Sequence, residues 1–101
     1  MYLVELFLPV TDNDGRRFDD TLFATIREEL TDRFGGVTVF SRAPAKGVTA
    51  EGGEPVHDDI IVMEVMADEL DRGWWKNYRK QLEQKLKQDE ILIRATQIEK
   101  L

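Results

Sequence analysis

Residues 59–86, DIIVMEVMADELDRGWWKNYRKQLEQKL, decide the fold, because the period of the apolar side chains changes within them. From Asp59 to Ala67 the period is two: Ile61, Met63 and Val65 fall on one face, and Ile60, Val62, Glu64 and Met66 on the other. That alternation predicts a strand. Asp68 or Asp71 can then cap a helix. Trp75, Tyr78, Leu82 and Leu86 follow at helical spacing, with Trp74 beside the stripe. Neighbouring helical residues point about 100° apart, so one indole enters the core while the other lies at its edge, where it could line a groove beside Tyr78.

The same two periods occur in the first half. Tyr2, Val4, Leu6 and Leu8 alternate with Leu3, Glu5 and Phe7, a second strand signature. Asp12, Asn13, Asp14 and Gly15 supply turn chemistry. Asp19 or Asp20 caps a helix with apolar positions Leu22, Phe23, Ile26, Leu30 and Phe34, and Gly35-Gly36 ends it. Val37 to Arg42 reads as a strand, and so does Glu90 to Glu99. Ala43 to His57 is irregular: Pro44 and Gly47 suggest a bend, and Glu51-Gly52-Gly53-Glu54 a tight turn. The two middle strands are thus expected to form a hairpin whose tip projects past the body.

Strand, helix, strand, strand, helix, strand fills nearly all of the 101 residues. This order is the ferredoxin-like split βαβ motif, an α+β fold. A chain of this length predicts a single domain over residues 1–101. Its antiparallel sheet of four strands takes the spatial order 4-1-3-2, and right-handed crossovers put both helices on one face.

Composition removes several functions. With no cysteine, disulfides, thiolate metal sites and cysteine nucleophiles are excluded. A net charge of −6 opposes nucleic-acid binding. The one basic concentration, Lys76, Arg79, Lys80, Lys85 and Lys87, is interleaved with Glu83 and Gln84 and reads as a solvated helix face. Met1 to Val10 resembles a leader peptide superficially, but Glu5 interrupts it and Pro9 closes it too early to span a bilayer. A cytoplasmic protein with no membrane partner is the expectation.

The sheet face turned away from the helices is the unusual surface. Val4, Leu6, Leu8, Val37, Val39, Ile61, Met63 and Val65 should point to the helices, with Ile91, Ile93 and Ala95 from the last strand. The opposite face then carries Leu3, Glu5 and Phe7, then Ile60, Val62, Glu64 and Met66, then Thr38, Phe40 and Arg42, and finally Leu92, Arg94 and Thr96. Monomers rarely leave so large an apolar patch bare. A homodimer stacking sheet on sheet would cover it. A small-molecule pocket between sheet and hairpin loop is the rival explanation.

Glu5 and Glu64 fall on neighbouring central strands of this face and are the candidate catalytic residues. A close carboxylate pair retains a proton readily, a starting point for general acid–base work. Arg42 and Arg94 on the flanking strands would neutralise them in salt bridges, the favoured reading, or hold an anionic ligand. Phe40, Trp74 and Tyr78 complete the candidate ligand-binding set with these two arginines. Phe7 and Phe40 invite comparison with the stacking aromatics of RNA-recognition domains, but the charge and the missing RNP pattern oppose it. His57 could ligate a metal only with Glu54 or Glu64, and a solvent-exposed histidine is the simpler reading. Ser41 lacks a nucleophile motif. Gly47, Gly52 and Gly53 have the wrong spacing for a phosphate loop, so no cofactor is expected.

From Phe34 onward the chain resembles a family of small bacterial proteins that share a domain of unknown function. The matching residues are Phe34-Gly35-Gly36-Val37-Thr38-Val39, Gly47, Gly52-Gly53, the acidic residue opening the third strand, Tyr78, and Gln88-Asp89-Glu90-Ile91-Leu92. Val48 stands after Gly47 where such proteins tend to carry a large aromatic. The resemblance implies the ferredoxin-like fold and no known activity. The expected role is a non-catalytic, self-associating or accessory binding module. The alternative is a cofactor-free ligand-binding protein or enzyme of the dimeric α/β-barrel kind, using Glu5, Glu64, Arg42, Arg94 and the 43–57 loop.

Overall fold

A computed structural model describes residues 1–42 and 60–101. Its elements run β1 (Tyr2–Pro9), α1 (Asp20–Phe34), β2 (Thr38–Arg42), β3 (Ile60–Ala67), α2 (Arg72–Lys85) and β4 (Leu92–Gln97). The sheet order is β2-β3-β1-β4, with every neighbouring pair antiparallel. This is the ferredoxin-like α+β fold with the 4-1-3-2 order that the sequence predicts. The turn at Glu51–Glu54, the projecting hairpin tip and His57 lie outside the described residues.

Local chemistry sets the element ends. The Asp19 carboxylate accepts the Thr21 N–H and the Thr21 hydroxyl, each at 3.0 Å, and opens α1. Those two bonds hold its carboxyl below the usual carboxylate range. Gly35 closes the helix at φ 83°, donating its N–H to Thr31 O at 2.8 Å, a conformation that a side chain would strain. Asp71 caps α2 by accepting the Trp74 N–H at 3.1 Å. Near the other end of α2, Glu83 Oε2 accepts the Ile91 N–H at 3.0 Å, which fixes the path into β4.

The core lies between the sheet and the helices. Cross-strand partners Val4 and Val65, and Leu6 and Met63, share the helix-facing side and are almost fully buried. Ile26 and Leu30 of α1 and Leu82 of α2 pack over them with no exposure. Burying each such side chain stabilises the fold by roughly 1.5–3 kcal/mol. The predicted α2 stripe, Trp75, Tyr78, Leu82 and Leu86, is buried throughout.

Two expectations are corrected at the sheet edges. Val39 keeps 38% of its surface exposed, because the helices sit over the central strands and leave β2 at the margin. Burial also fades along β4, from Ile91 at 3% through half-buried Ile93 to exposed Ala95. β4 itself is shorter than Glu90–Glu99, since Gln97 already faces Tyr2 at the start of β1. One further bond, Ile98 N–H to Met1 O at 2.9 Å, ends the pairing. Among the described residues no helix is long and apolar enough to cross a membrane.

Candidate functional site

The registers turn the open face into rows that run across the sheet. Arg94 of β4 stands opposite Glu5 of β1, Glu5 opposite Glu64 of β3, and Glu64 opposite Thr38 of β2. The neighbouring row is wholly apolar: Leu92, Phe7, Val62 and Phe40. On the other side of the polar row, Thr96, Leu3 and Met66 are aligned. The sequence thus assigned each strand to the correct faces.

Glu5 and Glu64 are direct cross-strand neighbours, a spacing of about 4.5–5.5 Å between Cβ atoms at which like charges repel. Arg94 compensates Glu5. Its Nε donates to Glu5 Oε1 at 2.9 Å, and its guanidinium carbon lies 4.8 Å from the centre of the Phe7 ring. Glu5 is 13% exposed and Arg94 56%, so the pair forms a bond that water reaches from the arginine side. Such a half-open pair contributes on the order of 1 kcal/mol. Glu64 forms no ion pair among the described residues. Its carboxylate is half-buried.

Arg42 is placed differently. Register pairs it with Ile60, four residues along β2 from Thr38, so its backbone stands about 13 Å along the strand from the Glu64 row. One of the two expected arginines, Arg94, therefore shares the row of the carboxylates. The surrounding apolar residues are uncovered to different degrees. Phe40, Met66 and Leu92 are 43%, 51% and 53% exposed, whereas Val62, between Phe7 and Phe40 in its row, is 1% exposed.

Trp74 and Tyr78 are not brought to this face. They belong to an aromatic cluster in the helix layer, where their rings stack at 4.8 Å. Trp75 stacks on Phe34 at 5.2 Å, which locks the end of α1 to the start of α2. Arg33 lies 4.2 Å above the Trp74 ring and 3.6 Å from Asp71, covering the cluster from solvent. The Tyr78 hydroxyl is buried with no hydrogen-bond partner among the described residues. Burial, with the Glu29 carboxylate adding to it, pushes this phenol far above its ordinary range. Tyr78 is therefore a neutral packing group. Sequence reasoning also passed over Arg72, which lies on the same side of α2 as Lys76 and Arg79; their spacing of four and three residues was the available signal.

No family model and no curated protein matches the chain. The likeness of Phe34 to Leu92 to the bacterial domain of unknown function therefore stands on those residues alone. Two solved structures are similar in fold. A phage SAM lyase in complex with S-methyl-5′-thioadenosine matches with a TM-score of 0.65 and 11% identity, over 95% of this chain and 80% of that one. A phage SAM lyase in the apo state gives 0.61 and 12%, over 94% and 78%. At such identity the likeness establishes a shared α+β fold.

Proposed function

We propose that this chain is a self-associating binding module, in which two copies stack their open sheet faces about a two-fold axis running along the strands. The apolar row Leu92–Phe7–Val62–Phe40 carries the reading, because its two ends are about half exposed in the single chain. Four strands at about 4.8 Å and six residues at about 3.3 Å give a face on the order of 400 Å² in projection. A face of that size, crossed by one polar row, falls in the range of the largest patch on a typical monomer, which is often functional.

Charge modulates the association of a second copy. Across the polar row a cation at the β4 side is followed by two carboxylates toward β2. With the axis along the strands, β4 of one copy overlies β2 of the other, which brings each Arg94 within reach of Glu64 in the second copy. Glu5 of each copy then also lies over Glu64 of the other, so the polar row gathers two guanidiniums and four carboxylates, and the apolar rows supply the attraction in this two-fold arrangement. An acidic, cysteine-free chain of this kind suits the cytoplasm.

Light scattering on a sizing column tests this. The wild-type chain should elute at twice the chain mass at micromolar concentration, and Phe40→Asp at the chain mass with an unchanged circular dichroism spectrum. A wild-type monomer up to its highest soluble concentration removes the proposal.

One observation favours a second reading. Glu64 is an unpaired carboxylate among the described residues, in the same row as Arg94 with Glu5 between them, and the fold is shared with an enzyme. In a cofactor-free ligand-binding protein or enzyme, Arg94 would hold an anion while Glu64 or Glu5 moved a proton. Glu64→Gln separates the readings. Loss of ligand binding or turnover in an intact dimer supports the second; unchanged ligand behaviour with tighter association supports the first.

A further inference from the structure

We propose that a cavity of about 240 Å³ between α2 and β4, on the helix side of the sheet, is a separate site for a small organic anion with an apolar body. Its chemistry divides in two. Arg72, Lys76 and Arg79 line it from α2, spaced so that they share one side of the helix. The wall beneath is apolar: Val4 at 1% exposure, Trp75 at 6%, and Ile93 of β4. Leu70 also lines it. Ala95, also in the lining, lacks the bulk to fill the space that the fading cover over β4 leaves.

Two of these three cations are not spent on carboxylates, and the third is only loosely paired. Neither Arg72 nor Lys76 forms an ion pair among the described residues. Arg79 Nε is buried without a hydrogen bond, 3.8 Å from Glu83 Oε2, and that oxygen already accepts the Ile91 N–H at 3.0 Å. Asp71, next in sequence to Arg72, is engaged by the Trp74 N–H and Arg33. Arg94 lines the cavity too, but its Nε is bonded to Glu5 and its guanidinium lies over Phe7 on the open face, so it supplies no head-group charge. In a chain of net charge −6, three cations around an apolar hollow define a specific ligand: a carboxylate or phosphate head on the arginines, and a body against Trp75 and Ile93. The volume falls below the ~300–1,000 Å³ of sites for drug-sized molecules, which limits the body to about one ring.

The test titrates the full chain with sodium phenylacetate and with phenyl phosphate, read by tryptophan fluorescence and by amide shifts at Leu70, Ile93 and Ala95. Inorganic phosphate and neutral benzyl alcohol are the controls. At least one organic anion should bind and move those amides, with both controls weaker by about tenfold, the scale of one charge-assisted hydrogen bond. Arg79→Met and Lys76→Met should each weaken that anion by a similar factor while near-ultraviolet dichroism stays unchanged. The relative affinity of the two anions identifies the head group. Equal binding of inorganic phosphate, equal binding of benzyl alcohol, indifference to Arg79→Met, or no binding at all would each overturn the site. Repeating the titration on Phe40→Asp should give the same affinity, so the outcome is independent of whether the open faces pair.

Discussion

The two faces of this one sheet are built from similar residues and meet different fates. On the helix side, Val4, Leu6, Met63 and Val65 are at most 2% exposed under two helices. On the other side Phe40, Met66 and Leu92 are about half exposed, and a polar row crosses the apolar ones. The difference shows that burial here depends strongly on which side the crossovers take, with Val62 inside the open face and Val39 at the edge of the covered one as exceptions. The covered face holds the fold together, while the other keeps apolar side chains partly exposed.

The largest effect should come from the covered side. Leu6→Ala removes a fully buried side chain from the middle of β1 and should cost about 2–5 kcal/mol in denaturant unfolding. Leu92→Ala, on the exposed edge of the open face, should change the stability of the single chain by less than about 1 kcal/mol. If the two cost the same, the contrast between the faces fails. Next comes Phe40→Asp, which places a charge in the apolar row. Its association constant should fall by at least about a hundredfold while the fold survives, because truncating an aromatic anchor removes ~2 kcal/mol or more even before the charge is added.

A smaller effect is expected in the helix layer. Tyr78→Phe deletes a hydroxyl that is buried without a partner and should stabilise the chain by about 1 kcal/mol. It should also change the pH dependence. The folded state raises the phenol's pKa above its ordinary value of 10.0, so the native state keeps a proton that the unfolded chain releases there. Stability from this group is fully present below pH 10.0 and declines as pH rises beyond it. Thermal unfolding above that pH should show a shallower loss in Tyr78→Phe than in wild type; identical slopes would contradict the burial argument.

Smallest of all is Glu64→Gln. Stacking two faces gathers two Arg94 guanidiniums against four carboxylates from Glu5 and Glu64, an excess of negative charge. Removing Glu64's charge should tighten association a few-fold at low salt, and the gain should shrink as salt rises. Weaker association would mean that each Glu64 is needed as the partner of an Arg94.

Much of this arrangement was legible in the sequence. The change of period inside residues 59–86 gave the strand and the helix, and parity along each strand gave the correct faces for Glu5, Glu64 and Arg94. Parity cannot give register. Arg42 shares the open-face parity of its strand, yet it pairs with Ile60, four residues along from Glu64, because alternation sets the face of a residue but not its cross-strand partner. Trp74 and Tyr78 were readable as an aromatic pair, but which side of the sheet they joined followed from the helix layer. The cations of the α2 cavity were visible as Lys76 and Arg79 within a basic helix. Their hollow depends on Ala95 and on how far α2 reaches over β4, and neither periodicity nor charge encodes that.

The central claim is that a second copy of this chain covers the open face. Isotope-filtered nuclear Overhauser spectroscopy on a mixture of labelled and unlabelled chains tests it most directly. Contacts between copies should arise from Phe7, Phe40, Met66 and Leu92 and be absent from Leu6, Leu30 and Leu82. Tumbling at the rate of a single chain with no contact between copies, or contacts confined to the helix side, would contradict it.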